Sequence, residues 1–270
     1  MNEEKTRDYL AGRAKDLATR AYMNNFVTHT DFLSVSEQAL FYNILVSEKI
    51  PANVHEFHGA HFVMYGGNKD AERAMVCFLP DCMDEESFMI AEREEPSVLA
   101  CVRIKPVNAK FADNLSHRDY LGAVMNLGIE RDQIGDIFTG ENEAYLYATC
   151  DIAEMICKEL IRIKHTSVKC EAVKSSECNI EPKFEEIGGT VASERIDAIL
   201  SFVYHLSRSE AQRLIEAESV YIDGRTAYSG GYDLKEGARV SVRGHGKFIY
   251  LGTENMTRKG RLFIKVKIFV

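Results

Sequence analysis

The 270-residue chain lacks the closely spaced cysteine pairs and long apolar runs that mark several classes of protein. Its seven cysteines include no C-x-x-C pair, so a structural zinc site has no support. An odd number of cysteines in a chain of this length also argues against a disulfide framework and favours a reducing compartment. No apolar run reaches the roughly 18 residues of a membrane span, and the polar start is unlike a signal peptide. We therefore expect a cytoplasmic protein with no membrane partner.

Nucleotide-binding and metal-binding motifs are also lacking. Gly66-Gly67 has neither the lysine-serine ending of a P-loop nor the spacing of a dinucleotide-binding loop, so we interpret it as part of a hairpin loop. His55, His58 and His61 recur at every third residue. They would share a face only in a helix, and we expect extended chain by His61. We predict no cofactor and no metal.

The triplet His117-Arg118-Asp119 invites a catalytic interpretation. A kinase catalytic loop has an asparagine five residues after the aspartate, where this chain has Val124. A structural role explains the triplet better, because Ser116 and Asp119 have the spacing of a capping box at the start of a helix. We predict no catalytic residue.

Charge is distributed unevenly along the chain. The formal net charge is −8, from 33 basic and 41 acidic residues. Residues 186–270 carry 13 Lys+Arg and 10 Asp+Glu, which leaves 20 basic and 31 acidic residues for the remainder. Residues 239–270 carry eight basic residues and one acidic residue, Glu254. A polyanion would meet this basic end first, which favours RNA as the partner of the C-terminal region.

Helical and extended patterns alternate through the first 90 residues. Apolar residues at helical spacing predict helices over 7–24 and 36–49. Strands are predicted over 61–65 and 74–79, around a hairpin loop. We therefore expect an N-terminal α+β domain of helices and a hairpin over residues 1–90.

Residues 91–174 follow the order β-α-β-β-α-β of a ferredoxin-like domain. The predicted elements are strands over 98–104, 134–139, 144–149 and 168–173 and helices over 116–127 and 151–163. RNA-recognition modules (RRMs) share this arrangement and stack bases on aromatic residues of their central strands. Tyr145 and Tyr147 share one face of the third strand, which makes them candidates for base stacking. Packing in the core is the alternative, since the first strand has no aromatic residue and the K/R-G-F/Y pattern is missing.

A polar stretch with Gly188-Gly189 follows, and we predict a linker over residues 175–189. Beyond it, Ser193 is the predicted N-cap of a helix. Ser207 and Glu210 have capping-box spacing at the start of a second helix. Asp223-Gly224 then predicts a tight hairpin.

The stretch LSRSEAQRLIE, followed by VYIDG and LKEGARVSVRG, resembles the S4 RNA-binding domain. The resemblance covers most of residues 193–248. It implies two paired helices packed on a small sheet, with structured RNA held on the helical face. It also implies that RNA is contacted by matched polar and basic residues, which are Arg195, Ser207, Arg208, Ser209, Gln212, Arg213 and Arg243. Asp197 matches a recurring acidic position, which we interpret as orienting an arginine.

Further basic residues are candidates for phosphate contacts because of their charge. These are Lys247, Arg258, Lys259 and Arg261. For the turn at 258–261, a solvated loop is an equally good interpretation.

The layout of the chain as a whole resembles the YlmH-like S4 proteins. The resemblance is carried by YGG before a strand ending in Leu79-Pro80-Asp81, by SHRDYLGAVMNLGIERDQIGDI at 116–137, and by an S4 segment with TRKGR. It implies a cytoplasmic bacterial protein that binds ribosomal RNA and the large ribosomal subunit. It further implies a role in ribosome-associated quality control, on stalled subunits that carry peptidyl-tRNA.

The overall expectation is an α+β protein with an RRM-like middle domain and an S4 domain with a C-terminal strand extension over 190–270. We predict a monomer that binds structured RNA without catalysis, with ribosomal RNA and tRNA as candidate partners and no DNA. Two alternatives stay open. One is an RNA-modifying enzyme of the pseudouridine-synthase kind with an S4 targeting domain. The other is a protein-binding adaptor whose acidic N-terminal body meets a basic partner.

Overall fold

The computed structural model describes residues 3–51, 53–258 and 260–269. The chain divides into two compact units. The first consists of the described residues up to 34 and of 43–181, and the second of 35–42 and the described residues from 182 onward. Helices and antiparallel sheets give the α+β class that we predicted. Within the described ranges, no helix is long and apolar enough to cross a membrane.

The N-terminal part of the chain forms a small antiparallel sheet and three helices. Its elements are α1 (Glu3–Asn24), β1 (Thr28–His29), α2 (Val35–Ser47), β2 (Glu56–Phe57), β3 (Ala60–Tyr65), β4 (Met75–Leu79) and α3 (Glu85–Glu94). The sheet has the order β1-β4-β3-β2, with β3 and β4 paired antiparallel. The two predicted helices and the predicted hairpin are confirmed, whereas β1, β2 and α3 go beyond the prediction.

The middle of the chain has the predicted ferredoxin-like arrangement. Its elements are β5 (Leu99–Pro106), α4 (His117–Met125), β6 (Ile134–Thr139), β7 (Ala144–Thr149), α5 (Cys150–Glu159), β8 (Arg162–Ile163) and β9 (Thr166–Val173). The sheet order is β6-β7-β5-β9-β8, and all neighbours are antiparallel. Helix α5 ends at Glu159, before the predicted residue 163, because residues 162–163 form β8, which turns back into β9 at Lys164, where φ is +51°.

Both faces of this sheet are buried. One face carries Val102 and Leu146 and packs against α4 and α5. The other face carries Cys101 and joins the N-terminal sheet in a single apolar cluster that includes Met75. Residues on both sides of the predicted boundary at 90 therefore share one core.

The second unit contains the elements predicted for an S4 domain and one strand that was not predicted, β10 (Phe184–Val191). The other elements are α6 (Ile196–Val203), α7 (Arg208–Glu216), β11 (Val220–Ile222), β12 (Arg225–Thr226), β13 (Arg239–Val242), β14 (Gly246–Met256) and β15 (Leu262–Phe269). The strands form one sheet in the order β10-β15-β14-β13-β11-β12. The two helices share a buried core with this sheet. Asp223 and Gly224, with φ of +48° and +76°, form the predicted tight turn between β11 and β12.

The predicted linker needs a correction, because residues 184–189 belong to β10. This strand pairs with β15 along its whole length. The glycines that suggested a linker are instead positions of close packing. A Cβ atom on Gly189 would lie 2.2 Å from Phe202 Cε2, and one on Gly188 would lie 3.0 Å from Phe263 Cζ.

Gly189→Ala is expected to lower the stability of the second unit by about 1–3 kcal/mol, because the added methyl group displaces the Phe202 ring. Chemical denaturation followed by circular dichroism measures the change. Gly12→Ala in α1 is the control, since a Cβ there meets nothing within 4 Å. It should raise helix stability by up to about 1 kcal/mol. An unchanged unfolding midpoint for Gly189→Ala would contradict the packing role of this glycine.

The start of α6 also differs from the prediction. The helix begins at Ile196 with Arg195 as the N-cap, and not after Ser193. The Ile196 amide donates a hydrogen bond to the carbonyl of Tyr232 at 2.8 Å. A backbone carbonyl from a distant loop therefore satisfies the helix end in place of a serine hydroxyl.

Candidate RNA-binding site

Helix α7 begins at the predicted capping box. The Oγ atom of Ser207 accepts a hydrogen bond from the Glu210 amide at 3.2 Å, and Glu210 Oε2 accepts one from the Ser207 amide at 2.8 Å. The hydrogen bonds from Ser207 hold the pKa of the Glu210 carboxyl below its ordinary value. The helix start is therefore fixed, which sets the positions of the arginines that follow it.

Two arginines converge on one buried carboxylate. Asp197, in the first turn of α6, is only 8% exposed. Its Oδ2 atom lies 3.0 Å from Arg195 Nη2 and 2.6 Å from Arg208 Nη1. Asp197 Oδ1 also accepts a hydrogen bond from Arg195 Nε at 3.2 Å. We call these three residues the Asp197 cluster, and they confirm that Asp197 orients arginine.

The Asp197 cluster leaves both guanidinium groups at the surface. The side chains of Arg195 and Arg208 are 49% and 47% exposed. A guanidinium has five N–H donors, and the contacts with Asp197 use only part of them. Two positive charges face one negative charge, so the cluster is positive and its donors point in fixed directions. Such an arrangement suits a phosphate group.

The other predicted residues of α7 differ in how far they are already engaged. Gln212 Nε2 donates to Glu216 Oε1 at 3.0 Å, and the Ser207 hydroxyl takes part in the capping box. Ser209 Oγ lies 3.0 Å from Ser207 Oγ. Arg213 is exposed on the same helix. An RNA contact by Ser207 or Gln212 must therefore share or replace a bond within the helix.

Two more predicted residues lie on the sheet. Arg243 follows β13 and donates from Nη2 to Tyr221 Oη at 3.0 Å. Lys247 lies on β14, and its Nζ is 4.0 Å from the centre of the Phe269 ring. Neither residue is part of the Asp197 cluster.

The predicted basic turn is only partly described. Arg261 Nη2 donates to the carbonyl of Thr190 at 2.8 Å, which ties the turn to β10. Arg258 is exposed. Lys259 lies outside the described residues.

The stacking prediction for Tyr145 and Tyr147 needs correction. The two residues share one face of β7, but they are 3% and 0% exposed, because the N-terminal sheet covers that face. Tyr147 packs edge-on against Phe138 with ring centres 5.9 Å apart. Burial raises the pKa of both phenols. The rings are core residues and offer no platform for a base.

Ser116 and Asp119 have the predicted structural role. The Asp119 carboxylate accepts hydrogen bonds from the Ser116 amide at 2.8 Å and the Ser116 hydroxyl at 2.7 Å. Lys164 Nζ lies 2.7 Å from Asp119 Oδ1. The bond with Lys164 and those with Ser116 lower the pKa of Asp119 to about 2. This carboxylate therefore caps the N-terminus of α4.

A groove of about 480 Å³ lies beside α4. Its lining includes Arg118, Glu159, Arg162 and Lys164, which mix both signs of charge. In the part of the chain that the structure describes, no group of three or more His, Cys, Asp or Glu residues could hold a metal ion.

Two exposed tyrosines of the second unit escaped prediction from the sequence. Tyr228 and Tyr232 lie in the loop between β12 and β13 and are 63% and 46% exposed. The available signal was a pair of aromatic residues inside the glycine-containing stretch AYSGGYD at 227–233.

Two domain families match the sequence. Residues 98–177 match the family described as "Putative RNA-binding domain in YlmH", and residues 194–240 match the S4 domain. The first match coincides with the ferredoxin-like sheet, and the second contains the Asp197 cluster.

Two proteins are similar to larger parts of the chain. Ribosome-associated protein quality control protein P2 of Bacillus subtilis (strain 168) is 27% identical over 200 residues, which cover 73% of each chain. A solved structure, cell division protein ylmH from Streptococcus pneumoniae, aligns with a TM-score of 0.49 at 16% identity. That alignment covers 67% of this chain and 96% of the other. The two family matches show a YlmH-type domain followed by an S4 domain, which confirms the predicted resemblance to the YlmH-like S4 proteins.

Proposed function

We propose that the protein binds structured RNA of the ribosome through its S4 unit and without catalysis. The observation that carries this proposal is the Asp197 cluster, in which one buried carboxylate aims two half-exposed arginines. Arg213 adds a further exposed positive charge on α7. Cationic side chains in fixed positions neutralise phosphates and set the orientation of a folded nucleic acid.

The setting is proposed from the relative in Bacillus subtilis, whose name describes a ribosome-associated quality control protein. In this proposal the protein acts in the cytoplasm as a monomer. It binds ribosomal RNA on the large subunit, and tRNA on that subunit is a second candidate ligand. Phosphate contacts are assigned to the S4 unit, because the sheet face that RRMs use is buried in the YlmH-type domain.

Sedimentation through a sucrose gradient tests the ribosomal part of the proposal. At low salt, tagged protein is expected to travel with purified large subunits and to remain at the top with purified small subunits. At moderate salt it should leave the large subunits, because about six phosphate contacts cost roughly a thousandfold in affinity over that change.

Three outcomes would count against this proposal. Protein that stays at the top with large subunits at low salt contradicts ribosome binding. Equal sedimentation with both subunits contradicts the choice of the large subunit. A complex that survives complete nuclease digestion favours a protein-binding adaptor.

A further inference from the structure

The loop over residues 227–233 presents two aromatic rings at the surface of the S4 unit. Tyr228 is 63% exposed and Tyr232 is 46% exposed. Aromatic side chains of this size usually bury most of their area when they serve the fold. We call residues 227–233 the tyrosine loop.

The tyrosine loop lies directly beside the Asp197 cluster. The carbonyl of Tyr232 accepts the hydrogen bond from the Ile196 amide at 2.8 Å, next to Arg195 in the chain. A Cβ atom placed on Gly231 would lie 4.0 Å from Arg195 Cζ. The backbone of the loop that carries both exposed rings therefore lies next to Arg195.

The loop also approaches α7 closely. A Cβ atom on Gly230 would lie 2.4 Å from Gln212 Oε1 and 3.2 Å from the Cβ of Asp197. The loop backbone at Gly230 therefore packs closely against both α6 and α7.

Several hydrogen bonds anchor the backbone of the tyrosine loop. Its first residue, Ala227, is 6% exposed and donates to the carbonyl of Val220 at 2.9 Å. Within the loop, the amide of Gly231 donates to Ser229 Oγ at 3.2 Å and the amide of Tyr232 to the Ser229 carbonyl at 3.3 Å. The rings are thus exposed on an anchored backbone, which lowers the entropy cost when a ligand orders them.

Exposed aromatic rings beside phosphate-binding cations are the combination that binds single-stranded nucleic acid. Cations follow the backbone, and unpaired bases stack on the rings. Bases inside a regular duplex already stack on each other and present no free face. A site of this kind therefore distinguishes loops and bulges from continuous helix.

We propose that Tyr228 and Tyr232 stack on unpaired bases of an RNA whose phosphates are held by the Asp197 cluster and Arg213. This inference rests on the proposed function and deepens it, because it names the class of RNA. The ligand is a loop or bulge with unstacked bases, and a blunt duplex is a poor substitute.

The experiment compares two RNA probes, a stem with a large unpaired loop and a blunt duplex of the same stem sequence. The full-length protein is expected to bind the stem-loop more tightly. Tyr228→Ala and Tyr232→Ala should each weaken stem-loop binding about tenfold. Duplex binding should change little in either variant. The phenylalanine variants at both positions should retain stem-loop binding, because stacking needs the ring and not the hydroxyl.

Two readouts separate stacking from a structural role. The salt dependence of stem-loop binding should keep its slope in the alanine variants, because removal of a neutral tyrosine side chain releases no counterion. A fluorescent adenine analogue in the loop should be quenched by the native protein and less so by the alanine variants. Tyr9→Ala in α1 is the control, since Tyr9 is 67% exposed and lies in the other unit.

The outcomes separate this inference from the function on which it rests. Stacking is contradicted if Tyr228→Ala and Tyr232→Ala leave stem-loop affinity unchanged while the double variant Arg208→Ala and Arg213→Ala loses it. In that case the proposed RNA binding still holds. If neither the tyrosine variants nor the arginine double variant loses affinity for the stem-loop, both stacking and RNA binding at this site are contradicted. Alanine variants that keep RNA affinity but no longer sediment with large subunits assign the tyrosine loop to a protein contact, which also overturns stacking.

Discussion

Arg208→Ala combined with Arg213→Ala is expected to weaken RNA binding about a hundredfold. Each arginine supplies a charge-assisted hydrogen bond worth about 1.5–3 kcal/mol when it is well placed, and the lower part of this range suits exposed side chains. Both side chains are exposed on α7, and Arg195 continues to pair with Asp197 when Arg208 is removed. The circular dichroism spectrum should therefore be unchanged. Filter binding or fluorescence anisotropy with a structured ribosomal RNA fragment measures the change in affinity.

The matched control removes the same charge elsewhere. Arg7→Ala with Arg13→Ala takes two exposed arginines from α1 in the other unit. Its RNA affinity should fall by less than a few fold, because neither arginine belongs to the S4 unit and long-range effects of exposed charges are screened at physiological salt. Equal losses in the two double variants would show that only net charge matters and would contradict a local site.

Asp197→Asn is expected to weaken RNA binding about tenfold although it makes the protein less negative. The carboxylate holds Arg195 and Arg208 by contacts of 3.0 and 2.6 Å, and a neutral amide gives them a weaker anchor. In the variant, the two arginine side chains become ordered only when RNA binds. The lost rotamer entropy then makes the binding free energy less favourable by about 0.5–1.5 kcal/mol for each side chain. Affinity and unfolding midpoint should be measured together, because Asp197 is also buried.

Glu218→Gln provides the comparison for Asp197→Asn. It removes one acidic charge from an exposed position just after α7. Its RNA affinity should stay constant or rise slightly. Tighter binding by Asp197→Asn in protein that is still folded would show that the carboxylate only repels RNA, and the orienting role would be wrong.

Local signals explain why the S4 helices could be predicted from the sequence. The capping box needs only Ser207 and Glu210, which are three residues apart, and the tight turn needs only Asp223-Gly224. The ferredoxin-like arrangement followed from the order of the elements along the chain, whereas the short edge strand β8 was not predicted. The Asp197 cluster joins two helices, so spacing alone could not reveal it. The resemblance to S4 domains supplied that expectation.

Features that depend on distant packing could not be predicted in the same way. Alternation placed Tyr145 and Tyr147 on one face correctly, but the N-terminal sheet that covers the face comes from far along the chain. The glycines of β10 are needed because the Phe202 and Phe263 rings pack against them, and the local sequence does not show these contacts.

Helix α3 escaped prediction for a related reason. Its buried residues are Phe88 and a glutamate, Glu92, so it lacks an apolar stripe. The Glu92 carboxylate accepts hydrogen bonds from the amides of Ser97, Val98 and Leu99 at 2.8, 3.0 and 3.3 Å. These contacts depend on where the next strand begins, which no local pattern shows.

The salt dependence of RNA binding tests the central claim most directly, because it counts the phosphates that the protein neutralises. Plotted as the logarithm of affinity against the logarithm of salt concentration, the native protein should give a steep negative slope. Arg208→Ala with Arg213→Ala should give a slope shallower by about two, because each of the two arginines neutralises one phosphate. Equal slopes for the two proteins would contradict the claim that these arginines bind the RNA backbone.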